Sequence, residues 1–152
     1  MTKIMLYLSC LLMLFGCKGR QAAAQQPDSQ GISGKVLWVE GNQMPGQGVE
    51  LPKAQPVKRD VYIYPLTNIK DVSTVEGMFY GDFEGKPVAV VQSDEEGQFE
   101  VKLPVGQYSV LVKEEKGLFA NSTDGYGNIQ PIEVKEGEVT DLTISINYMA
   151  TY

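Results

Sequence analysis

Apolar and polar residues alternate strictly over the second half of this chain. Three segments, at 98–103, 107–113 and 132–146, place an apolar residue at almost every second position, with Leu111 as the exception. Short glycine-containing turns separate the alternating runs. A period of two indicates β-strands with one face in the core and the other in solvent. The pattern predicts antiparallel sheets with one wet face.

The first half of the chain adds strands that are less regular. Segments 32–39, 60–65 and 87–93 are rich in β-branched and aromatic residues. No stretch after residue 16 has a helical period. Segment 41–56 reads as a long loop, and segment 68–86 is ambiguous because glycines interrupt it. We therefore predict one all-β domain over residues 32–148, a single seven-stranded antiparallel β-sandwich.

The N-terminus has the features of a lipoprotein signal peptide. Lys3 precedes an apolar run that is too short to span a bilayer, and Leu14-Phe15-Gly16-Cys17 places a small residue before a cysteine. We expect residues 1–16 to be removed, Cys17 to be acylated, and residues 17–31 to form a flexible tether. An ordinary cleavage site at residues 22–24 is the alternative, but it lies far beyond the apolar run.

The residues after Cys17 bear on localisation. By resemblance to known sorting rules, Lys18 rather than aspartate at this position favours the outer membrane. Lipoproteins sent to the cell surface often carry acidic residues here, and Lys18-Gly19-Arg20 has none. We expect a lipid-anchored protein of the outer membrane on its periplasmic face, with exposure at the cell surface as the alternative.

Composition excludes several kinds of chemistry. The chain has no histidine, and its two cysteines, Cys10 and Cys17, both belong to the signal region. Catalytic triads, thiol nucleophiles and imidazole-bound metals are therefore excluded from the mature domain. The formal net charge of -6 makes nucleic acid an improbable partner. We expect no cofactor.

The segment 93–110, SDEEGQFEVKLPVGQYSV, resembles the signature of carboxypeptidase regulatory-like domains. Gly34-Lys35-Val36 is similar to the opening of that family, and segment 132–146 is similar to its closing strand pair. The resemblance implies a seven-stranded, transthyretin-like sandwich, usually non-catalytic, that serves as an accessory module in secreted and outer-membrane proteins. Gly97 and Gly106 are expected at turns that need a permissive φ, and Tyr108 is expected to hydrogen-bond at a strand corner.

Two segments are candidate sites, each with a structural alternative. Phe79, Tyr80 and Phe83, with Tyr126 as a possible neighbour, could form a stacking platform for a sugar or a protein, or could instead plug the core. Asp124 and Asn128 are weak calcium candidates, and a turn capped by its own side chains is the favoured explanation.

The acidic turn at 94–96 is expected to be solvated, and we assign no catalytic residue. The function expected from the sequence is a non-catalytic, lipid-anchored envelope module that binds a protein partner or a glycan. Two alternatives remain open. One is a hydrolase that acts through carboxylates, such as a glycosidase, and the other is a structural spacer in the envelope.

Overall fold

The computed structural model describes residues 30–48 and 50–152. The predictions for the signal peptide, Cys17 and most of the tether lie outside these residues. The described part is all-β, with one short 3-10 helix at Ile69–Asp71. Within it, no helix is long and apolar enough to cross a membrane. The strands are β1 Gly31–Asn42, β2 Gln55–Pro56, β3 Asp60–Pro65, β4 Ser73–Val75, β5 Phe79–Gly81, β6 Ala89–Gln92, β7 Gln98–Lys102, β8 Gly106–Glu114, β9 Gly117–Phe119, β10 Pro131–Val134 and β11 Val139–Thr151.

The strands form two sheets that pack around a common core. The first sheet has the order β11-β1-β2, with β7 also paired to β1. The second has the order β4-β5-β9-β8-β3-β6, with β10 beside β8. The main core cluster takes Ile32 and Ile144 from the first sheet and Ile63 and Val110 from the second, all of them fully buried or nearly so. The predicted all-β architecture with two sheets is confirmed.

The first and last strands pair in parallel, so the prediction of a purely antiparallel sandwich is wrong here. Gly31 lies opposite Val139 and Asn42 lies opposite Thr151, with a register shift between Trp38 and Glu40. Alternation specifies which face of a strand is buried, but it carries no information about the direction of its partner. Because the rest of the domain separates β1 from β11, no hairpin turn forces these two strands to run antiparallel.

The strand count also differs from seven. Among the described residues there are eleven strands, because the segments predicted as loops or left ambiguous contain β2, β4, β5 and β9. β3, by contrast, has the predicted bounds. Short strands carry too few residues for alternation to show, so they escape a pattern-based prediction.

The hairpin signature folds largely as expected. Tyr108 Oη donates a hydrogen bond of 2.9 Å to the carbonyl of Pro104, which is the predicted corner contact. Gly97 has a φ of 75°, and a Cβ there would lie 2.4 Å from the Val36 carbonyl oxygen. Gly106 does not have a positive φ, so its expected role is wrong. A Cβ at Gly106 would instead lie 3.2 Å from Tyr108 Oη, so the glycine makes room for the tyrosine ring.

The second sheet is also buried on its outer face. A separate buried cluster lies there, consisting of Tyr64, Tyr80, Leu111, Leu118, Ala120 and Ile129. It accounts for Leu111, the exception to the alternation of β8, because the middle of that strand is buried on both faces. The prediction of a wet outer face is therefore wrong for the part of this sheet that the cluster covers.

Candidate functional site

The structure buries two of the four residues predicted to bind a partner. Phe79 is 1% exposed, and its ring centroid lies 5.7 Å from that of Phe119 and 5.1 Å from that of Tyr148. Tyr80 is 5% exposed and belongs to the second buried cluster. The prediction of a stacking platform is therefore wrong for Phe79 and Tyr80. Both side chains are core residues, because β5 pairs with β9 and is drawn into the second sheet.

The other two predicted residues are not brought together. Phe83 is half-buried and stacks on Tyr64 with ring centroids 4.3 Å apart. Tyr126 is 86% exposed, and none of the ring contacts in the described part of the chain includes it. Exposure of a single tyrosine does not define a site.

Asp124 and Asn128 use their side chains to cap their own turn. Asp124 Oδ1 accepts hydrogen bonds of 2.9 Å from the backbone N–H groups of Tyr126 and Asn128. Its Oδ2 accepts one of 2.8 Å from Asn128 Nδ2. The hydrogen bond from the Asn128 backbone and its companions hold the pKa of Asp124 below its usual value. These contacts fit the turn alternative, and no group of three or more acidic metal-ligating side chains occurs in residues 30–48 and 50–152.

The acidic side chains of the turn after β6 likewise bond to neighbouring groups. Asp94 Oδ1 accepts from the backbone N–H of Gln98 at 2.7 Å, and Glu95 forms an exposed ion pair of 3.1 Å with Lys58. Such surface pairs contribute little to stability.

A cleft that the sequence did not reveal lies at one end of the sandwich. Its volume is about 570 Å³. The first sheet supplies Trp38 from β1 and Tyr148 from β11, and the second sheet supplies Glu114 at the end of β8. Its lining residues are Trp38, Arg59, Lys113, Glu114, Glu115, Lys116, Tyr148 and Met149.

An ion pair with a hydrogen-bonded tyrosine forms the charged part of the cleft. Arg59 Nε lies 2.7 Å from Glu114 Oε1, and Tyr148 Oη donates to Glu114 Oε2 at 2.8 Å. Arg59 also donates through Nη1 to the carbonyl of Lys58 at 3.0 Å. The Glu114 side chain is only 5% exposed, whereas that of Arg59 is 36% exposed. A buried carboxylate requires such partners, and here both of its oxygens have one.

Aromatic rings form the opposite wall. The Trp38 and Tyr148 ring centroids are 5.2 Å apart, with an interplanar angle of 87°. Trp38 Nε1 donates to Glu40 Oε2 at 2.8 Å, which fixes the indole. Phe79 and Phe119 contact the Tyr148 ring in turn. Phe79 therefore supports the wall of the cleft from within the core and is not itself a contact surface.

Sequence reasoning missed these residues, although a signal exists. On β8, Val110 and Val112 face inward and Glu114 is the next position with the same spacing. On β11, Tyr148 follows the inward-facing Ile144 and Ile146 in the same way. On β1, Trp38 follows the inward-facing Val36. Each therefore occupies an inward position just past the apolar core. A charged or amphipathic residue at the end of an inward series is therefore a signal that the position borders the apolar core.

The environment of Tyr148 predicts how stability depends on pH. Burial, followed by the hydrogen bond and negative charge of Glu114, raises the pKa of Tyr148 from 10.0 to about 12. Between these values the unfolded chain loses the phenolic proton while the folded chain keeps it, so stability is full below the lower value and falls as pH rises through the window. Burial also raises the pKa values of Tyr64, Tyr80 and Tyr108, which act in the same direction.

Urea unfolding at stepped alkaline pH tests this dependence. The Tyr148→Phe variant should lose stability less steeply than the wild type over the same window. An identical slope for the two proteins would show that Tyr148 titrates alike in both states.

The fold and the cleft define an all-β protein with two facing sheets and an opening at one end. No protein-family model, curated protein or solved structure matches the chain. The resemblance to carboxypeptidase regulatory-like domains therefore rests on the residues that carry it.

Proposed function

We propose that this chain is a non-catalytic, lipid-anchored binding module of the bacterial envelope, with a carboxypeptidase regulatory-like fold and its ligand site in the cleft. The lipobox at Cys17 and the hairpin signature with its Tyr108 corner contact support this assignment. The observation that carries it is the fixed arrangement of Arg59, Glu114 and Tyr148 beside the ring of Trp38. Concave sites with ring surface and a few fixed polar groups are typical of ligand binding.

The position of the cleft suits an anchored protein. β1 begins at Gly31, the last residue of the segment predicted as the tether, and Trp38 lies seven residues further along the strand, or about 23 Å. Gln30 is held at the opposite end, where its side chain bonds the Leu103 carbonyl and the Gly137 N–H. With the anchor at Cys17, the cleft would therefore lie at the end of the domain that is remote from the tether.

The chemistry of the cleft favours binding over hydrolysis. A glycosidase needs two carboxyl groups about 5 to 10 Å apart across a cleft, one of them free to exchange a proton. Glu114 has both oxygens engaged by Arg59 and Tyr148, and Glu115 is an exposed residue next to it in the chain. An inert spacer, the other alternative, would need no such arrangement.

Capture experiments with the full-length acylated protein test the proposal. A pull-down from detergent-solubilised membranes and a glycan array are run in parallel for the wild type, Trp38→Ala and Tyr126→Ala. Truncating an anchoring aromatic should weaken capture by about 30-fold or more. Tyr126→Ala removes an exposed aromatic elsewhere and should capture like the wild type.

Three results would contradict parts of this proposal. Loss of capture in Tyr126→Ala but not in Trp38→Ala would show that the site lies in the loop around Tyr126 and not in the cleft. A wild type that captures neither protein nor glycan would favour the spacer. If the Cys17→Ser variant stays in the membrane fraction and is processed as before, the proposed lipid anchor at Cys17 is contradicted.

A further inference from the structure

The cleft has hydrogen-bond donors left over after its internal contacts are made. An arginine carries five N–H donors in a planar fork. Arg59 uses one at Nε for Glu114 and one at Nη1 for Lys58, which leaves three without a partner among the described residues. Because Glu114 fixes Nε, the orientation of the guanidinium is set before a ligand arrives. The three remaining N–H groups therefore form a preorganised set of donors at a half-exposed position.

The aromatic wall offers ring surface and no polar group. The indole N–H of Trp38 is bound to Glu40, and the hydroxyl of Tyr148 is bound to Glu114. At an interplanar angle of 87°, Tyr148 covers at most one face of the Trp38 ring. Trp38 is only partly buried and lines the cleft, so part of its ring surface is available for a flat group whose C–H bonds point at the ring, which is attracted by the negative face of the π-system.

The cleft has no excess of positive charge, and Glu40 places a further carboxylate on the indole N–H of Trp38. Arg59 is neutralised by Glu114, and Lys116 lies 2.6 Å from Glu76. Lys113 and Glu115, which are both exposed, supply one charge of each sign. An anionic ligand would therefore gain no net attraction in the cleft, and it would approach a chain whose net charge is -6. The cleft is matched to an uncharged ligand that accepts hydrogen bonds.

We propose that the cleft binds an uncharged pyranose unit of a glycan, with one ring face on Trp38 and two neighbouring hydroxyls accepting from Arg59. A pyranose ring combines a C–H face with adjacent hydroxyl oxygens at its edge, which is the combination that this wall and this fork complement. The cleft volume of about 570 Å³ is within the range of small-molecule sites. This inference rests on the proposed function and specifies its ligand.

The single tryptophan of the chain gives a direct readout. Trp38 is the only tryptophan, so tryptophan fluorescence, excited selectively over that of the eight tyrosines, reports on the cleft wall alone. The full-length protein is titrated with neutral glucose, galactose and mannose oligosaccharides and with the matching uronic-acid oligomers. We expect at least one neutral series to shift the emission saturably and to bind more tightly than its acidic counterpart.

Two variants test whether Arg59 supplies the hydrogen-bond donors to the sugar. Arg59→Lys keeps the charge but loses the planar fork, and it should weaken neutral-sugar binding by up to about tenfold. Lys58→Gln is the matched control, because Lys58 is the preceding residue and its side chain pairs with the exposed Glu95. It should bind like the wild type. Thermal unfolding of each variant shows that the fold is intact, and Trp38→Phe, followed by calorimetry, provides a second test at the ring wall.

The outcomes separate the inference from the proposed function. Tighter binding of the uronic-acid series would overturn the uncharged ligand and leave the binding module in place. Capture of a protein through Trp38, without a response to any sugar, would likewise overturn the sugar ligand and leave the binding module in place. Equal sugar affinities for Arg59→Lys and the wild type would overturn the role of the fork. No response to any sugar, together with an empty pull-down, would overturn both proposals.

Discussion

Replacing Phe79 by alanine is expected to destabilise the protein by about 3–5 kcal/mol. The side chain is 1% exposed and lies between the rings of Phe119 and Tyr148, so its removal leaves a cavity lined by rigid groups. The surroundings can relax only partly, because both neighbouring rings are held in the two sheets. Urea unfolding should show a lower midpoint with an unchanged slope.

The control for this substitution is Tyr126→Ala. Tyr126 is 86% exposed, and its truncation should change stability by no more than about 0.5 kcal/mol. Wild-type stability of Phe79→Ala, together with lost ligand capture, would contradict the buried position and restore the idea of a binding surface. Because Phe79 also supports Tyr148, some loss of cleft binding is expected along with the lost stability.

Replacing Glu114 by alanine is expected to cost about 1–3 kcal/mol, the range for leaving a hydrogen-bonding group in the protein without its partner. The substitution leaves the Arg59 guanidinium without its anion and the Tyr148 hydroxyl without its acceptor. It should also lower the pKa of Tyr148, since the hydrogen bond and the charge of Glu114 both raise it. Chemical unfolding and an ultraviolet phenolate titration measure the two effects.

Glu115→Ala is the matched control for Glu114→Ala. The two residues are adjacent and carry the same charge, but Glu115 is exposed, so its removal should be nearly neutral. Equal effects of the two substitutions would mean that the Arg59–Glu114 pair contributes nothing beyond a surface charge. A pKa of Tyr148 that does not change in Glu114→Ala would assign the whole shift to burial.

The main strands of the fold could be predicted because their information is local. The inward series that passes through Tyr108, Val110 and Val112 repeats every second residue, and that period identifies a strand and its buried face. Gly97 and Pro104 mark turns in the same local way. The prediction failed at β4, β5 and β9, because three residues cannot display a period.

The cleft could not be predicted, because its residues are distant in sequence. Arg59 and Glu114 are 55 residues apart, and Tyr148 and Glu114 are 34 apart. Each lies singly at the end of a series of inward-facing residues. Nothing in the neighbouring sequence indicates that these three strand ends meet in space. Their coincidence depends on the parallel pairing of β1 with β11 and on the way β8 crosses opposite it.

The sequence by itself determined that this chain is all-β, which faces of its long strands are buried, and where its hairpin corner lies, since these follow from side-chain alternation and turn chemistry. Only the tertiary structure decided whether Phe79 and Tyr80 lie inside or outside. An aromatic segment flanked by glycines is equally suited to a surface or a core, and the pairing of β5 with β9 placed it in the core. Tertiary structure likewise decided where the site lies, because a buried ion pair and a ring wall form only where the ends of separate strands meet.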